Sequence, residues 1–350
     1  MNKKKVLFFL PGGVGGAERV SVTISRLLPD EEYVKKIIII DKQKGEIEKF
    51  VPQDTEIQFV KVLNVWDFVS LRMVSIIRRE KPDFVFSSIF HLNPRLLIAA
   101  KLTGTKCIVR NSNMLIRARK DVFFLMKHTY PLAYHIIAQQ DEMKRELLDK
   151  FHLDPHLVTT LQNPLDLAAL KSGIKASSPY ENIKQHKYVW IARFGYQKGQ
   201  DILIRAFNLV RKKDPLAHLY LIGKYNNNSN FDQKVFQYIK NENISDYVHI
   251  VGFDSNPYRW LAHCDCFVAP SRWEGLPNAL IEASYLGKPC AATRCIPIIS
   301  RIIVDGANGF TCEPENPQDL AKAMINAIGM EVQRVDYKAA NNDDFIRLFQ

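Results

Sequence analysis

Three segments of this 350-residue chain combine charge or glycine with a change from strand to helix. In the first, Arg193-Phe194-Gly195-Tyr196-Gln197-Lys198-Gly199 follows an apolar run at 188–192. A planar guanidinium fork and a mobile ammonium at the carboxyl end of a strand suit a diphosphate. A solvated turn is the plain alternative. The second, PSRWEGLPNALIEA, carries Glu274 and Glu282 with seven residues between them. That spacing alone says little, since Glu48 and Glu56 share it without the context. Here Gly275, Leu276 and Pro277 lead into a helix, and amides before a helix can face phosphate oxygens. Glu282, about one turn in, could accept hydrogen bonds from vicinal ribose hydroxyls or could face solvent. Glu274 could be an acid favoured by the helix dipole. The third is Gly12-Gly13-Val14-Gly15-Gly16-Ala17-Glu18-Arg19, where glycines let backbone N–H groups approach a polar ligand at a helix start. The last Gly of a dinucleotide fingerprint is missing and no Walker lysine follows, so a tight turn is the alternative.

These segments need strands and helices to hold them. Short apolar runs at 5–10, 35–40, 56–61, 83–87, 106–110, 134–138 and 157–161 alternate with helical patterns at 18–28, 67–79, 95–102, 122–130 and 142–150. Runs such as Ile37-Ile38-Ile39-Ile40 are continuous rather than alternating, which predicts a parallel sheet covered on both faces. A polar stretch at 171–186 predicts a linker. Beyond it the pattern restarts, with strands at 188–192, 218–222, 247–251, 266–269 and 289–293 and helices at 201–210, 231–239, 278–286 and 317–328. The expected architecture is α/β, with two doubly wound Rossmann-like domains, 1–170 and 187–330, facing a central cleft.

Composition narrows the class. Lys+Arg number 48 and Asp+Glu 37, for a net charge of +11. Residues 101–134 hold seven of the cations, Lys101, Lys106, Arg110, Arg117, Arg119, Lys120 and Lys127, against Asp121 alone. Aromatic and aliphatic residues are mixed in: Met114, Leu115, Ile116, Val122, Phe123, Phe124, Leu125, Met126 and Tyr130. This stretch reads either as a solvated basic surface or as a face for anionic lipid headgroups or a phosphate-bearing acceptor. No nucleic-acid module is recognisable, so no nucleic-acid partner is expected. The six cysteines show no metal spacing and read as free thiols in a reducing cytosol. The apolar run after Lys3-Lys4-Lys5 is too short for a signal core and predicts a first buried strand. Without an export signal, the sequons at Asn227 and Asn243 are expected to be idle.

Taken in order along the chain, these blocks resemble the retaining glycosyltransferases of family 4, which have the GT-B fold. The matching blocks are GGVGGAERV, TLQNPLD, IARFGYQKGQDILIRAF, VGF, CFVAPSRWEGLPNALIEASYLGKPCAAT and DGANGF. The resemblance implies that Arg193 and Lys198 hold the diphosphate of a nucleotide sugar and that Glu274 lies by the donor sugar. It gives Glu282 the ribose, and Gly275 and Leu276 phosphate-facing amides. Gly223 and Phe253 would line the nucleotide pocket, with Gly15 and Gly16 near the diphosphate and acceptor. Segment 331–350 would be a helix returning to the first domain. Two positions depart from the pattern. Asn111 stands where members often have His, leaving His91 as the closest imidazole, and Arg301 stands where a Glu is usual.

The implied enzyme is a metal-independent hexosyltransferase without a cofactor. It would move a hexose or N-acetylhexosamine from a nucleotide-diphosphate sugar, UDP ahead of GDP, to a hydroxyl of a lipid-linked or polysaccharide acceptor. It would work at the cytoplasmic face of the inner membrane as a peripheral protein. The alternatives are a nucleotide-sugar 2-epimerase of the same architecture and a binding or assembly subunit that has lost catalysis.

Overall fold

Continuous apolar runs become buried parallel strands. In the computed structural model, which describes residues 3–43, 45–62, 69–115, 118–181, 184–335 and 342–350, the residues Val6–Leu10 are wholly buried. Ile116, Arg117 and the start of the helix expected from residue 67 lie outside the described residues. The chain divides into two compact units.

Unit 1 comprises residues 1–165 and the carboxyl-terminal segment. Its strands are β1 (Lys4–Leu10), β2 (Tyr33–Asp41), β3 (Glu56–Lys61), β4 (Phe84–Ser87), β5 (Lys106–Asn111), β6 (His135–Ala138) and β7 (Val158–Thr160). Between them run α1 (Gly16–Leu27), α2 (Val69–Glu80), α3 (Asn93–Thr103), α4 (Lys120–Thr129) and α5 (Asp141–Phe151). All pairings are parallel, in the order β3-β2-β1-β4-β5-β6-β7. The order reverses between β1 and β4, the place where ligands of such sheets sit. A terminal helix, Asn342–Arg347, completes this unit. Phe345 and Phe349 are fully buried in its core, and the Phe349 ring lies 5.7 Å from that of Phe84 and 6.1 Å from that of Phe86. The expected carboxyl-terminal helix is thus short; residues 331–335 are irregular and 336–341 lie outside the described residues.

Unit 2 spans residues 166–338. It holds α6 (Leu167–Lys175), β8 (His186–Ile191), α7 (Gln200–Arg211), β9 (Ala217–Ile222), α8 (Asn230–Asn241), β10 (Val248–Gly252), α9 (Tyr258–Ala262), β11 (Cys266–Ala269), α10 (Asn278–Tyr285), β12 (Cys290–Thr293), α11 (Ile299–Ile302), β13 (Gly309–Cys312) and α12 (Pro317–Ala327). The strand order β10-β9-β8-β11-β12-β13 reverses between β8 and β11.

Two sequence expectations change here. The linker expected at 171–186 begins inside α6, whose first turn is capped by the Asp166 carboxylate accepting from the Ala169 amide at 3.0 Å. Further along, Tyr180 is buried, donates to the Trp260 carbonyl at 2.7 Å, and packs edge-on against Tyr220 and Trp260. Small polar residues concealed this packing, because the apolar face of α6 is narrow and one aromatic anchors the rest. The second change is β13, absent from the expected strands. Its GFTC sequence has no apolar run, and it forms by pairing along β12.

Candidate active site

The two charged loops of unit 2 leave β8 and β11, on either side of the strand-order reversal. They are knitted together. Lys198 Nζ donates to both carboxylate oxygens of Glu274, at 2.6 and 2.8 Å. Glu274 is 9% exposed and Lys198 27%. Ser271 Oγ donates to the same Glu274 Oε1 at 2.7 Å, and Thr293 Oγ1 donates to the Ser271 carbonyl at 2.5 Å. Gln197 donates to the Trp273 carbonyl at 3.0 Å, and the Arg272 amide donates to the Gln197 carbonyl at 2.8 Å. Gly199 is the hinge of this contact. Its φ of +67° is left-handed, and a Cβ there would stand 2.1 Å from the Pro270 carbonyl oxygen.

Arg272, which sequence reasoning did not single out, holds the frame. Its guanidinium grips Asp201 through two bonds of 2.9 and 2.7 Å, pairs with Glu315, and stacks 3.8 Å over the Tyr196 ring. Those partners hold its pKa above the ordinary arginine value in spite of the opposing burial. Nothing in local sequence pairs residue 272 with 201 or 315; the fold does. Cys295 also lies near the Lys198–Glu274 pair, and burial, then the Glu274 charge, push its thiol up to about 12, so it is neutral.

The remaining unit 2 candidates stand at neighbouring strand ends. Arg193 follows β8, is exposed, and makes no side-chain hydrogen bond or ion pair among the described residues. Gly223 follows β9, and its amide donates to the Gly252 carbonyl at 2.7 Å. A Cβ at Gly223 would lie 1.7 Å from the Ala192 carbonyl oxygen, so glycine is required there by backbone approach. Phe253 follows β10 directly. Gly275 and Leu276 are buried just before α10, and Glu282 lies in that helix with Tyr258 Oη donating to its Oε1 at 3.0 Å. Tyr258 was a further residue without a sequence signal.

In unit 1 the glycine loop and His91 flank the β1–β4 reversal. Gly15 precedes α1 and Gly16 opens it. The Gly12 amide donates to Asp41 Oδ2 at 2.9 Å, and Gly45 presses so close that its Cβ would meet the Gly12 oxygen at 1.8 Å. His91, in the turn after β4, offers its carbonyl to Arg95 Nη1 at 2.5 Å. Desolvation and the Arg95 charge lower its pKa, keeping the imidazole neutral at pH 7.

Asn111, which the resemblance sets among the catalytic candidates, is bonded within unit 1. At the end of β5 it is fully buried. Tyr130 Oη donates to its Oδ1 at 3.1 Å, its Nδ2 donates to the Asn113 carbonyl at 2.7 Å, and Gln139 donates to its backbone carbonyl at 3.2 Å. Both ends of the amide are engaged within unit 1, which makes Asn111 a junction between β5, α4 and the loop after β6.

The basic stretch is also thinner than its sequence. Arg110 is buried, 1% exposed, and Arg119 pairs with Asp121 at 2.8 Å. Leu115, Met126 and Tyr130 are core residues. Among the described residues, the exposed cations are Lys101, Lys106, Lys120 and Lys127 with the acid-paired Arg119, and Phe124 is 62% exposed. A pattern of period 3.6 on α4 turns its apolar majority inward.

All six cysteines are free, and the described residues contain no group of three or more His, Cys, Asp or Glu that could hold a metal ion. No helix among them is long and apolar enough to cross a membrane.

With this geometry in place, comparison with known proteins is specific. Residues 14–169 match the family described as Glycosyltransferase Family 4, and residues 175–343 match Glycosyl transferases group 1. An uncharacterized glycosyltransferase of Methanocaldococcus jannaschii, MJ1059, is 29% identical over 252 residues; the match covers 66% of this chain and 61% of that protein, so it spans less than two thirds of the relative. The Campylobacter jejuni N-acetylgalactosamine-N,N'-diacetylbacillosaminyl-diphospho-undecaprenol 4-alpha-N-acetylgalactosaminyltransferase is 25% identical over 355 residues, covering 96% of this chain and 93% of that one. The structure of Anabaena Alr3699/HepE in complex with UDP and glucose superposes with a TM-score of 0.81 at 16% identity, covering 98% and 97% of the two chains, a likeness of fold.

Proposed function

We propose a reaction for this chain on the premise that it belongs to the family 4 glycosyltransferases of the GT-B fold: it moves a hexose or N-acetylhexosamine from a nucleotide-diphosphate sugar to a hydroxyl of a lipid-linked glycan, with retention. The observation that carries the reading is the coincidence of Arg193, Lys198, Glu274 and Glu282 at the strand-order reversal of unit 2. Two cations at that point offset the charge that grows on a departing diphosphate. Their effect is largest in the transition state, so they raise turnover rather than merely tighten binding. In a front-face retaining step the C1–O bond to the diphosphate breaks as the acceptor oxygen bonds to C1 on the same face. The departing phosphate oxygen takes the acceptor proton, so no separate side-chain base is needed.

UDP as the nucleotide is supported by the UDP bound in the Anabaena structure. A lipid-diphosphate acceptor is supported by the name of the Campylobacter relative. Lys120 and Lys127, about one turn to either side of Phe124 on α4, suit weak, reversible contact with an anionic membrane, at about 1 kcal/mol per cation. Catalysis without a metal rests on the cation pair taking the leaving-group charge.

The test is a thermal-shift panel of UDP-, GDP- and ADP-sugars, followed by transfer to a prenyl-diphosphate-linked sugar with and without EDTA. A UDP-sugar at ~100 times its dissociation constant is expected to add about 2.7 kcal/mol of stability. Stabilisation by none of the donors overturns the reading, inversion at C1 overturns retention, and complete reversible loss in EDTA overturns metal independence. C2 epimerisation of the donor without transfer would assign the other chemistry.

A further inference from the structure

Across the carboxyl edge of the unit 1 sheet runs a row of buried neutral polar side chains. Ser87 ends β4, Asn111 ends β5, Gln139 and Gln140 follow β6, and Asn163 follows β7. One charged side chain is buried beside this row. Arg110 is 1% exposed, and Nη2 donates to Asn163 Oδ1, a neutral amide. Its Nε and Nη1 are buried and have no hydrogen-bond partner among the described residues. No carboxylate perturbs it; burial alone lowers its pKa, to about 9, which leaves it charged at neutral pH.

A guanidinium taken out of water without a counter-ion is a liability for folding, and buried arginines are normally forked onto carboxylates. Two unused N–H groups of a charged guanidinium are therefore a demand for an anion that the described residues do not supply. The edge they occupy is the ligand-binding end of a doubly wound sheet. We propose that Arg110 is a binding residue for a phosphate or diphosphate ester at the carboxyl edge of unit 1, its unused Nε or Nη1, which point to opposite sides of the guanidinium, donating to an oxygen of the anion. The candidates are the diphosphate of the lipid-linked acceptor and that of the leaving nucleotide. The choice between these esters rests on the transfer reading above, whereas binding of the bare anion does not.

The experiment uses the full chain as wild type, Arg110→Met and Arg110→Lys. Melting temperature is measured without ligand, and affinity by calorimetry for inorganic pyrophosphate, UDP and farnesyl diphosphate. Without ligand, Arg110→Met is expected to melt at or above the wild type, because an apolar chain of similar length replaces an uncompensated charge. Its affinity for pyrophosphate is expected to fall about 10- to 100-fold, the worth of one lost charge-assisted hydrogen bond. Arg110→Lys, which keeps the charge but loses the fork, is expected to fall between the two. A loss confined to farnesyl diphosphate assigns the acceptor side; a loss confined to UDP assigns the leaving group.

Wild-type affinity for all three anions in a folded Arg110→Met overturns the proposal. So does a lower melting temperature with unchanged binding, which would make Arg110 a structural residue bridged by water. If Arg110→Met does not fold, wild-type affinity in Arg110→Lys for every anion overturns it equally. If no variant, nor the wild type, binds UDP, the donor reading fails, while the farnesyl diphosphate arm still decides Arg110.

Discussion

The carboxyl edges of the two units treat their cations in opposite ways. In unit 2, Lys198 is held by Glu274 and Arg272 by Asp201 and Glu315, so these two inward-facing cations each have an acid, while Arg193 stands exposed. In unit 1, Arg110 leans on the neutral amide of Asn163 and nothing else charged. A cation with an internal partner can exchange it for a phosphate and return, keeping the loops assembled between turnovers. A cation without one holds the fold in a less stable state until an anion arrives. The difference separates a site built to be stable when empty from one built to be stable when filled.

The largest effect should come from breaking the unit 2 pair. Lys198→Ala leaves a nearly buried Glu274 carboxylate without its counter-ion, so it is expected to lose about 2–3 kcal/mol of stability as well as activity. The sequence implied only that Lys198 holds the diphosphate; its bond to Glu274 adds the cost in stability. The double variant Lys198→Met/Glu274→Gln removes both charges and is expected to recover most of the stability. Its turnover should stay about 10²–10³ below wild type, since the leaving-group charge is no longer met. Urea denaturation read beside single-turnover transfer separates the two. Recovery of activity in the double variant would show that the pair is only a structural clasp.

Much of this edge was legible in sequence, and the reason the rest was not is physical. Apart from β13, the strands of both sheets announce themselves because parallel strands covered on both faces must be apolar, as Ile37–Ile40 are. The loops after β8 and β11 stand out because charge and glycine break those runs. Pairing does not: residues 198 and 274 meet only because β8 and β11 are neighbours. Arg110 was read as surface charge because a charged residue at a strand end is usually solvated, and CIVRN carries no signal that its fourth residue turns inward. The bonding of Asn111 was hidden for a related reason. Its position in the chain matched, but burial and its bonds to Tyr130 and Asn113 depend on α4 packing above it.

Asn111 sharpens the comparison at intermediate size. If the unit 1 edge is an internally bonded polar row around one unpaired cation, Asn111→Ala should cost stability first. It would strand the Tyr130 hydroxyl in the core, at about 1–3 kcal/mol. Asn111→Asp would place an acid next in sequence to Arg110 and test the unit 2 solution in unit 1. Donor affinity should change little in Asn111→Ala, measured by calorimetry on protein confirmed folded by circular dichroism. An unchanged melting point with lost turnover would return Asn111 to the role the sequence suggested.

The smallest effect tests whether unit 1 lacks acids in general or only at that edge. Near the amino end of β1, Glu80 accepts from Lys5 at 2.6 Å and from Lys36 at 2.9 Å, so this unit does pair its buried cations elsewhere. Hydrogen bonds from Lys5 and then Lys36 pull the Glu80 pKa from 4.5 to about 2, overcoming the opposing effect of burial. A carboxyl whose folded value lies below its unfolded one stabilises the protein above the unfolded value. That contribution is present at pH 5 and above, and is lost as pH falls from about 4.5 towards 2. After discounting for screening at the edge of the sheet, it is about 1–2 kcal/mol. Glu80→Gln is therefore expected to melt lower than wild type at pH 7, with the gap closing as the acid limb is approached. Melting temperatures at pH 7, 5, 4 and 3 measure it. A gap that stays constant over that range would mean the Glu80 charge contributes nothing, and the contrast between the two ends of the unit 1 sheet would lose its meaning.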